Sequence, residues 1–212
     1  MANEYMPIGI SMKNRRALVV GGGQVALRKV DRLLDYDSQI TVIAPEVDDK
    51  LVYYGEHNKI KLERRGYQEG EASDFGLVIA ASDDAKLNHQ VYDEAHAAGI
   101  PVNVVDDPDY CDFIMPATTK RGCLTVSVST DGQAPFLAAF LRQLNDDIFP
   151  ERWRKVSNWA AKFRRLVHQE GPSETPMRMR CYERFLEADW KDLLKNKNDD
   201  EIEQTLRSWL EG

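Results

Sequence analysis

The sequence predicts an α/β protein with a doubly wound parallel sheet, followed by a β-hairpin and helix region and a small helical C-terminal domain. Three observations predict it. A β-branched run, Arg16-Ala17-Leu18-Val19-Val20, ends at Gly21-Gly22-Gly23 and opens at once into an amphipathic segment. Further short apolar runs alternate with helical segments as far as Val105. Beyond Pro135 the spacing of apolar residues becomes helical and stays so.

The elements follow in order. After the first strand, Ala26, Val30, Leu33 and Leu34 form one stripe, with Arg28, Lys29 and Arg32 away from it, which predicts an amphipathic helix. Ile40 to Ile43 reads as the second strand, closed by Ala44-Pro45, and a helix over Asp49 to Glu56 leads to a strand at Ile60 to Glu63. Leu77 to Ala81 is a buried strand, and a helix from Asp84 to Ala98 stops at Gly99. Pro101 to Val105 is the fifth strand, and the alternation implies right-handed crossovers in a parallel sheet covered on both faces. Phe113 to Ala117 and Leu124 to Thr130 then read as a hairpin joined by a polar turn, Thr118 to Gly122. Phe136, Phe140, Leu144 and Ile148 recur every fourth residue on a helix whose wide apolar face requires a partner, a second subunit among the candidates. Further helices are expected at Trp153 to Val167, Arg178 to Leu194 and Glu201 to Leu210.

Composition narrows the class. At 212 residues, 42% hydrophobic and 30% charged, the chain falls in the range of ordinary globular proteins, and no apolar stretch approaches the roughly 20 residues of a membrane span. A net charge of −7 argues against general nucleic-acid binding, which needs a concentrated basic face. Basic residues outnumber acidic ones from Glu151 to Arg184, a segment that either receives an anionic ligand or simply solvates helix faces. Cys111, Cys123 and Cys181 are odd in number and form no CxxC pair, so neither a disulfide framework nor a thiolate zinc site is expected. With no secretory signal in the first residues, a cytoplasmic protein is expected.

The chemistry concentrates at three places. Gly21-x-Gly23-x-x-Ala26 has the dinucleotide fingerprint in its required context, between a strand and a helix whose free N–H groups and positive end bind phosphate. Either this makes the first 112 residues an NAD-binding Rossmann-like domain, or the glycine turn serves packing alone. The acidic residue that usually meets the ribose falls late, at Glu46, which either faces the adenosine ribose or begins a helix; with no Arg for a 2′-phosphate at this strand end, NAD is favoured over NADP. The segment Asn103 to Phe113 gathers four carboxylates just outside the carboxyl end of a strand, where ligands of such sheets bind. Asp106, the first of them, is either a general base at that crevice or a residue capping the loop turn at Pro108. Ser127 to Pro135 runs from a strand into a helix with Pro near its start, either an anion-ready terminus or an ordinary cap. No ligand spacing points to a preformed metal site, and the scattered histidines, His57, His89, His96 and His168, carry no catalytic assignment.

Taken together, Val19 to Lys29, Ala80 to Asp84, Asn88, Asn103 to Asp106, Phe113 to Pro116 and Ser129 to Pro135 resemble the precorrin-2 dehydrogenase family, which includes the N-terminal part of sirohaem synthase and bifunctional dehydrogenase/ferrochelatases. The resemblance covers about Pro7 to Leu144. It implies NAD-dependent removal of two hydrogens from precorrin-2 to give sirohydrochlorin, with iron insertion in some members. It places catalysis on Asp106 and NAD contacts on Gln24 and Val25 and on Pro45 and Glu46, beside Gly21 and Gly23. It also implies a homodimer interlocked after the nucleotide domain, and three regions: residues 1–112 for NAD, 113–150 for dimerisation and the active site, and 151–212 as a helical domain. Thr130 stands where the multifunctional synthase has serine. A polycarboxylate tetrapyrrole requires local cations, for which Lys120, Arg121 and Arg142 are candidates, together with Asn103 and Thr130 as substrate-binding positions. The alternative is a module of the same fold that senses NAD without chemistry.

Overall fold

The β-branched run forms β1, Arg15–Val20, and its last four residues are enclosed from both sides. Because side chains alternate along a strand, Ala17 and Val19 enter the core on one face of the sheet and Leu18 and Val20 the core on the other. In the computed structural model, which describes residues 4–210, five parallel strands lie in the order β3-β2-β1-β4-β5. They are β2, Ser38–Ile43, β3, Lys61–Glu63, β4, Leu77–Ala80, and β5, Val102–Val104. Helix α1, Gln24–Leu33, and α2, Asp49–Glu56, cover one face through Ala26, Val30, Leu33, Leu51 and Tyr54. Helix α3, Ala85–Ala97, covers the other through Val91 and Ala95. Enclosing each Val or Leu contributes about 1.5–3 kcal/mol, so the β1 residues that both faces enclose anchor the sheet. Strand order reverses between β1 and β4, which opens a crevice at the carboxyl ends of these strands.

The chain divides into two compact units between Met115 and Pro116. The expected boundary at residue 112 lies close to this division. Residues 113–150 and 151–212, expected as separate regions, mostly share the second unit. The reason is visible at the hairpin, formed by β6, Ala117–Arg121, and β7, Leu124–Val128. It packs on both α4, Pro135–Ile148, and α5, Trp153–Gln169. The Ser157 hydroxyl of α5 donates to the Arg121 carbonyl at 2.6 Å, and the Cys123 thiol donates to the Ser157 carbonyl at 3.1 Å.

Two expectations are corrected in this unit. Thr118 to Arg121 is strand rather than turn, because Gly122, at φ +63°, and Cys123 alone reverse the chain and put Thr119 into the interior. The helix expected from Arg178 to Leu194 is two helices, α6, Thr175–Glu187, and α7, Trp190–Asn196. Ala188 is extended, the Asp189 carboxylate accepts from the Asp192 N–H at 3.0 Å, and the Trp190 indole donates to the Phe185 carbonyl at 2.8 Å, folding the chain back over Phe185. With α5 and α8, Asp199–Ser208, these helices enclose a further core around Phe163, Cys181, Phe185, Ile202 and Leu206.

Candidate functional site

A cleft of about 630 Å³ lies at the carboxyl ends of β1, β2 and β4. Its floor is the glycine turn. Gly21 holds φ +128°, a region open essentially to glycine, and a Cβ there would stand 2.2 Å from the Ala81 carbonyl oxygen. Gly22 is equally constrained, since a Cβ would lie 2.0 Å from the Glu46 carbonyl oxygen, and its own carbonyl accepts from the Asp48 N–H at 2.8 Å. Gly23 is exposed and faces open space; it begins α1 in an extended conformation with no side chain capping the helix. The backbone can therefore be approached closely at Gly23 while Gly21 and Gly22 lock the turn to the neighbouring loops. The packing role of Gly22 is absent from the fingerprint spacing and emerges only from the loop after β2.

The side walls are polar. Gln24 is exposed and donates from its amide to the Asp48 carboxylate, which also caps α2 by accepting from the Lys50 N–H at 2.9 Å. Pro45 and Glu46 are exposed on the cleft wall, and Asp48 rather than Glu46 starts the helix. Val25 is half-buried against the core of the sheet and contributes to the site as part of the first helical turn. The opposite wall carries Ser82, Asp83 and Asp84. Its shape depends on Asn88, which is buried: the Asn88 amide oxygen accepts from the Ser82 N–H at 3.1 Å and its nitrogen donates to the Ser82 carbonyl at 2.9 Å. Among the described residues the lining contains Glu46, Asp48, Asp83 and Asp84 and no Lys or Arg.

The loop after β5 leaves the same edge of the sheet. Its start is pinned by the Val105 N–H donating to the Ala80 carbonyl at 2.9 Å. Asp106 follows in the left-handed region, at φ +61°, with its side chain exposed and without a hydrogen bond or ion pair among the described residues. Such a conformation costs a non-glycine residue energy, so the surrounding structure holds it there. The next residues supply the hold. Asp107 pairs with His89 of α3 at 2.8 Å, and the His89 ring stacks on Tyr110 at 4.0 Å. Asp112 accepts from the Val102 N–H at 3.1 Å and faces His96 at 3.2 Å. Asn103 is buried in β5; its amide nitrogen lies 3.0 Å from the Phe113 carbonyl and 3.2 Å from Cys111 Sγ, and its oxygen accepts from Lys29 of α1 at 3.3 Å. Burial, then the neighbouring Arg32, lowers the pKa of Lys29, and burial raises that of the Cys111 thiol. Neither Lys29 nor His89 stands out in the sequence, because both contacts cross between elements.

The remaining candidates lie in the second unit. The Thr130 hydroxyl accepts from the Ala134 N–H at 3.2 Å and its carbonyl from the Gln133 N–H at 2.9 Å, so this residue shapes the turn into α4. Arg121 and Arg142 converge on Asp146, at 2.9 and 2.7 Å. Arg121 also donates to the Phe149 carbonyl at 2.8 Å, which commits most of its guanidinium to holding the hairpin on α4. Asp146 is held below the usual carboxylate range by the Thr119 hydroxyl and the two guanidiniums, against a desolvation contribution in the other direction. Lys120 is half-buried on β6. Among the described residues, no group of three or more His, Cys, Asp or Glu is placed to hold a metal ion.

A glycine turn between a central strand and an uncapped helix, facing a crevice at the strand-order reversal, defines a dinucleotide-binding α/β protein. Residues 8–117 match the family described as putative NAD(P)-binding, and the chain belongs to that family. It is 35% identical to a sirohaem synthase of Nitrosococcus oceani over 209 residues, 99% of this chain and 44% of that protein. It is 37% identical to a sirohaem synthase of Methylococcus capsulatus over 203 residues, 96% of this chain and 43% of that one. The chain thus spans less than half the length of these curated relatives. Among solved structures it shares the fold of SirC, precorrin-2 dehydrogenase, with a TM-score of 0.76 at 21% identity, covering 96% of this chain and all of that one.

Proposed function

We propose that this chain is an NAD-dependent dehydrogenase of the cytoplasm that oxidises precorrin-2 to sirohydrochlorin on the route to sirohaem, acting as a homodimer. The observation that carries the reading is the placement of Asp106: an exposed carboxylate at a conformationally constrained residue, on the same sheet edge as the glycine cleft. The relatives named sirohaem synthase and the fold shared with SirC support the substrate.

The residues fit the cofactor. A pyrophosphate can approach Gly23 and the N–H groups of Gln24 and Val25, where no side chain caps the helix, and Pro45 and Glu46 lie at the ribose end. The acidic lining disfavours the extra phosphate of NADP by like-charge repulsion. Bound there, NAD supplies the acceptor for one hydride from the macrocycle. The second hydrogen leaves as a proton, and Asp106 is the base we assign to it. Asn103 and Lys29 border that position in the first unit. Thr130, Lys120 and Arg142 remain the substrate positions proposed for the second, with Arg121 acting mainly through its bonds to Asp146 and Phe149.

Support for the homodimer comes from α4, where Phe136, Phe140, Leu144 and Ile148 are all exposed, an apolar stripe that water penalises. For the compartment, all three cysteines are free, and no helix among the described residues is long and apolar enough to cross a membrane.

The test is anaerobic incubation with precorrin-2 and NAD, following sirohydrochlorin and NADH by absorbance, with NADP and no-cofactor controls. We expect both products in equal amount with NAD, and Asp106→Ala to bind NAD normally while losing turnover by about a hundredfold or more. NAD binding without turnover in the wild-type protein would overturn the reading in favour of an NAD sensor. A ferrous-iron arm of the same assay reads metal insertion separately.

A further inference from the structure

Helix α1 sends two cations across to the segment that carries Asp106. The Arg32 guanidinium donates to the Met115 carbonyl at 3.2 Å, and one turn earlier the Lys29 ammonium donates to Asn103 Oδ1 at 3.3 Å. Asn103 in turn spends its amide nitrogen on Phe113 and Cys111, so its orientation joins β5 to the far end of the Asp106 loop. The Cys111 thiol closes the circuit by donating to the Val104 carbonyl at 3.1 Å.

Lys29 is an expensive choice for this position. It is half-buried, and Arg28 and Arg32 on its own helix repel it. Among the described residues, Cys111 and Asp106 on the facing loop act electrostatically in its favour; of the other loop carboxylates, Asp107 and Asp112 are turned toward His89 and His96 of α3, and Asp109 is exposed. An apolar residue would cover the same surface without the desolvation cost, so a role for the charge itself accounts for the ammonium.

We propose that Lys29 is a positioning residue of this active site, its ammonium fixing the Asn103 amide and thereby the loop on which Asp106 stands. The inference rests on the dehydrogenase reading for its catalytic consequence, but not for its structural one. As pH rises through the lowered pKa of Lys29, the charged donor is lost and the hold on Asn103 weakens.

The experiment has two readouts. The first needs neither cofactor nor substrate: the Asn103 side-chain amide resonances of the labelled protein are followed against pH. Cys111→Ser is present in every protein of this readout, so that the thiol titration beside the Asn103 amide is removed. With Lys29 in place the resonances move through a transition below pH 10.5, the ordinary lysine value. In Lys29→Arg, whose charge persists, that transition is absent, and in Lys29→Met the resonances are displaced at every pH. The second readout is the kcat profile with precorrin-2 and NAD. Lys29→Met lowers kcat by about tenfold, with NAD affinity unchanged and no alkaline limb. Lys29→Arg restores most of kcat and carries activity to higher pH than the wild-type lysine does. Amide resonances indifferent to both variants and to pH would sink the proposal whatever the assay shows. If the resonances behave as stated while no variant or wild-type protein turns over, it is the dehydrogenase reading that fails. Equal kcat profiles in all three proteins, with turnover present, would also overturn the positioning role.

Discussion

Gly22 sits between two loops with no room for a methyl group, since the nearest atom to an added Cβ is the backbone oxygen of Glu46 at 2.0 Å. A backbone atom cannot rotate away as a side chain can. Gly22→Ala is therefore expected to push the β2–α2 loop outward, lowering stability by about 1–3 kcal/mol and weakening NAD binding; thermal unfolding and a cofactor titration check both. A different residue governs acid stability on the far side of β2. Arg65 pairs with Glu63 and Glu71. The Lys61 and Arg65 hydrogen bonds hold the Glu63 carboxyl below its usual value, and Arg65 does the same for Glu71. Depressed carboxyl pKa values make the unfolded chain bind protons first as pH falls. The stabilisation is thus present above about pH 4.5 and lost as pH drops through the folded values. Melting temperature against pH should fall more steeply below pH 4.5 in the wild-type protein than in Arg65→Met; parallel curves would remove the triad from this role.

Among the elements, the turn from β4 into α3 depends on one buried amide. Asn88, on the second turn of α3, satisfies both the N–H and the carbonyl of Ser82, while Asp84 caps the helix by accepting from the Lys86 N–H at 2.9 Å. Asn88→Ala strips two partners from a turn that walls the cleft. We expect a loss of about 1–3 kcal/mol in denaturant unfolding together with weaker NAD binding. Asp84→Ala should cost about 1 kcal/mol, the ordinary value of a cap, and serves as the control for a purely helical effect. Asn88 was legible in the sequence only as part of a resemblance; its role follows from the turn that folds back over it.

For the whole molecule, the unresolved physical fact is α4. Its exposed Phe136 and Phe140 stand one turn apart on the stripe that continues to Leu144 and Ile148. The proposed dimer would cover them. Light scattering of the wild-type protein is expected to give twice the mass of the chain, and the double substitution Phe136→Asp with Phe140→Asp a monomer that keeps its NAD-binding unit, since that unit has separate cores of its own. A monomeric wild-type protein at assay concentration would end the dimer proposal.

The order of the strands and helices up to Val105, the glycine turn and a loop leaving the sheet after the fifth strand were readable from the chain alone. Each depends on local periodicity or on a residue type that a backbone conformation demands, as the run from Arg16 to Gly23 shows. Tertiary structure alone decided the rest. The hairpin turn shrank to Gly122 and Cys123, because Thr119 gains an interior position when Thr118 to Arg121 pair as strand. The helix from Arg178 broke at Ala188 because Trp190 packs back on Phe185. Lys29 met Asn103, and His89 met Asp107, across separations of 74 and 18 residues that no local pattern encodes. Contacts of that kind are set by where whole elements pack, and a sequence read through its periodicities shows the elements but not their meeting points.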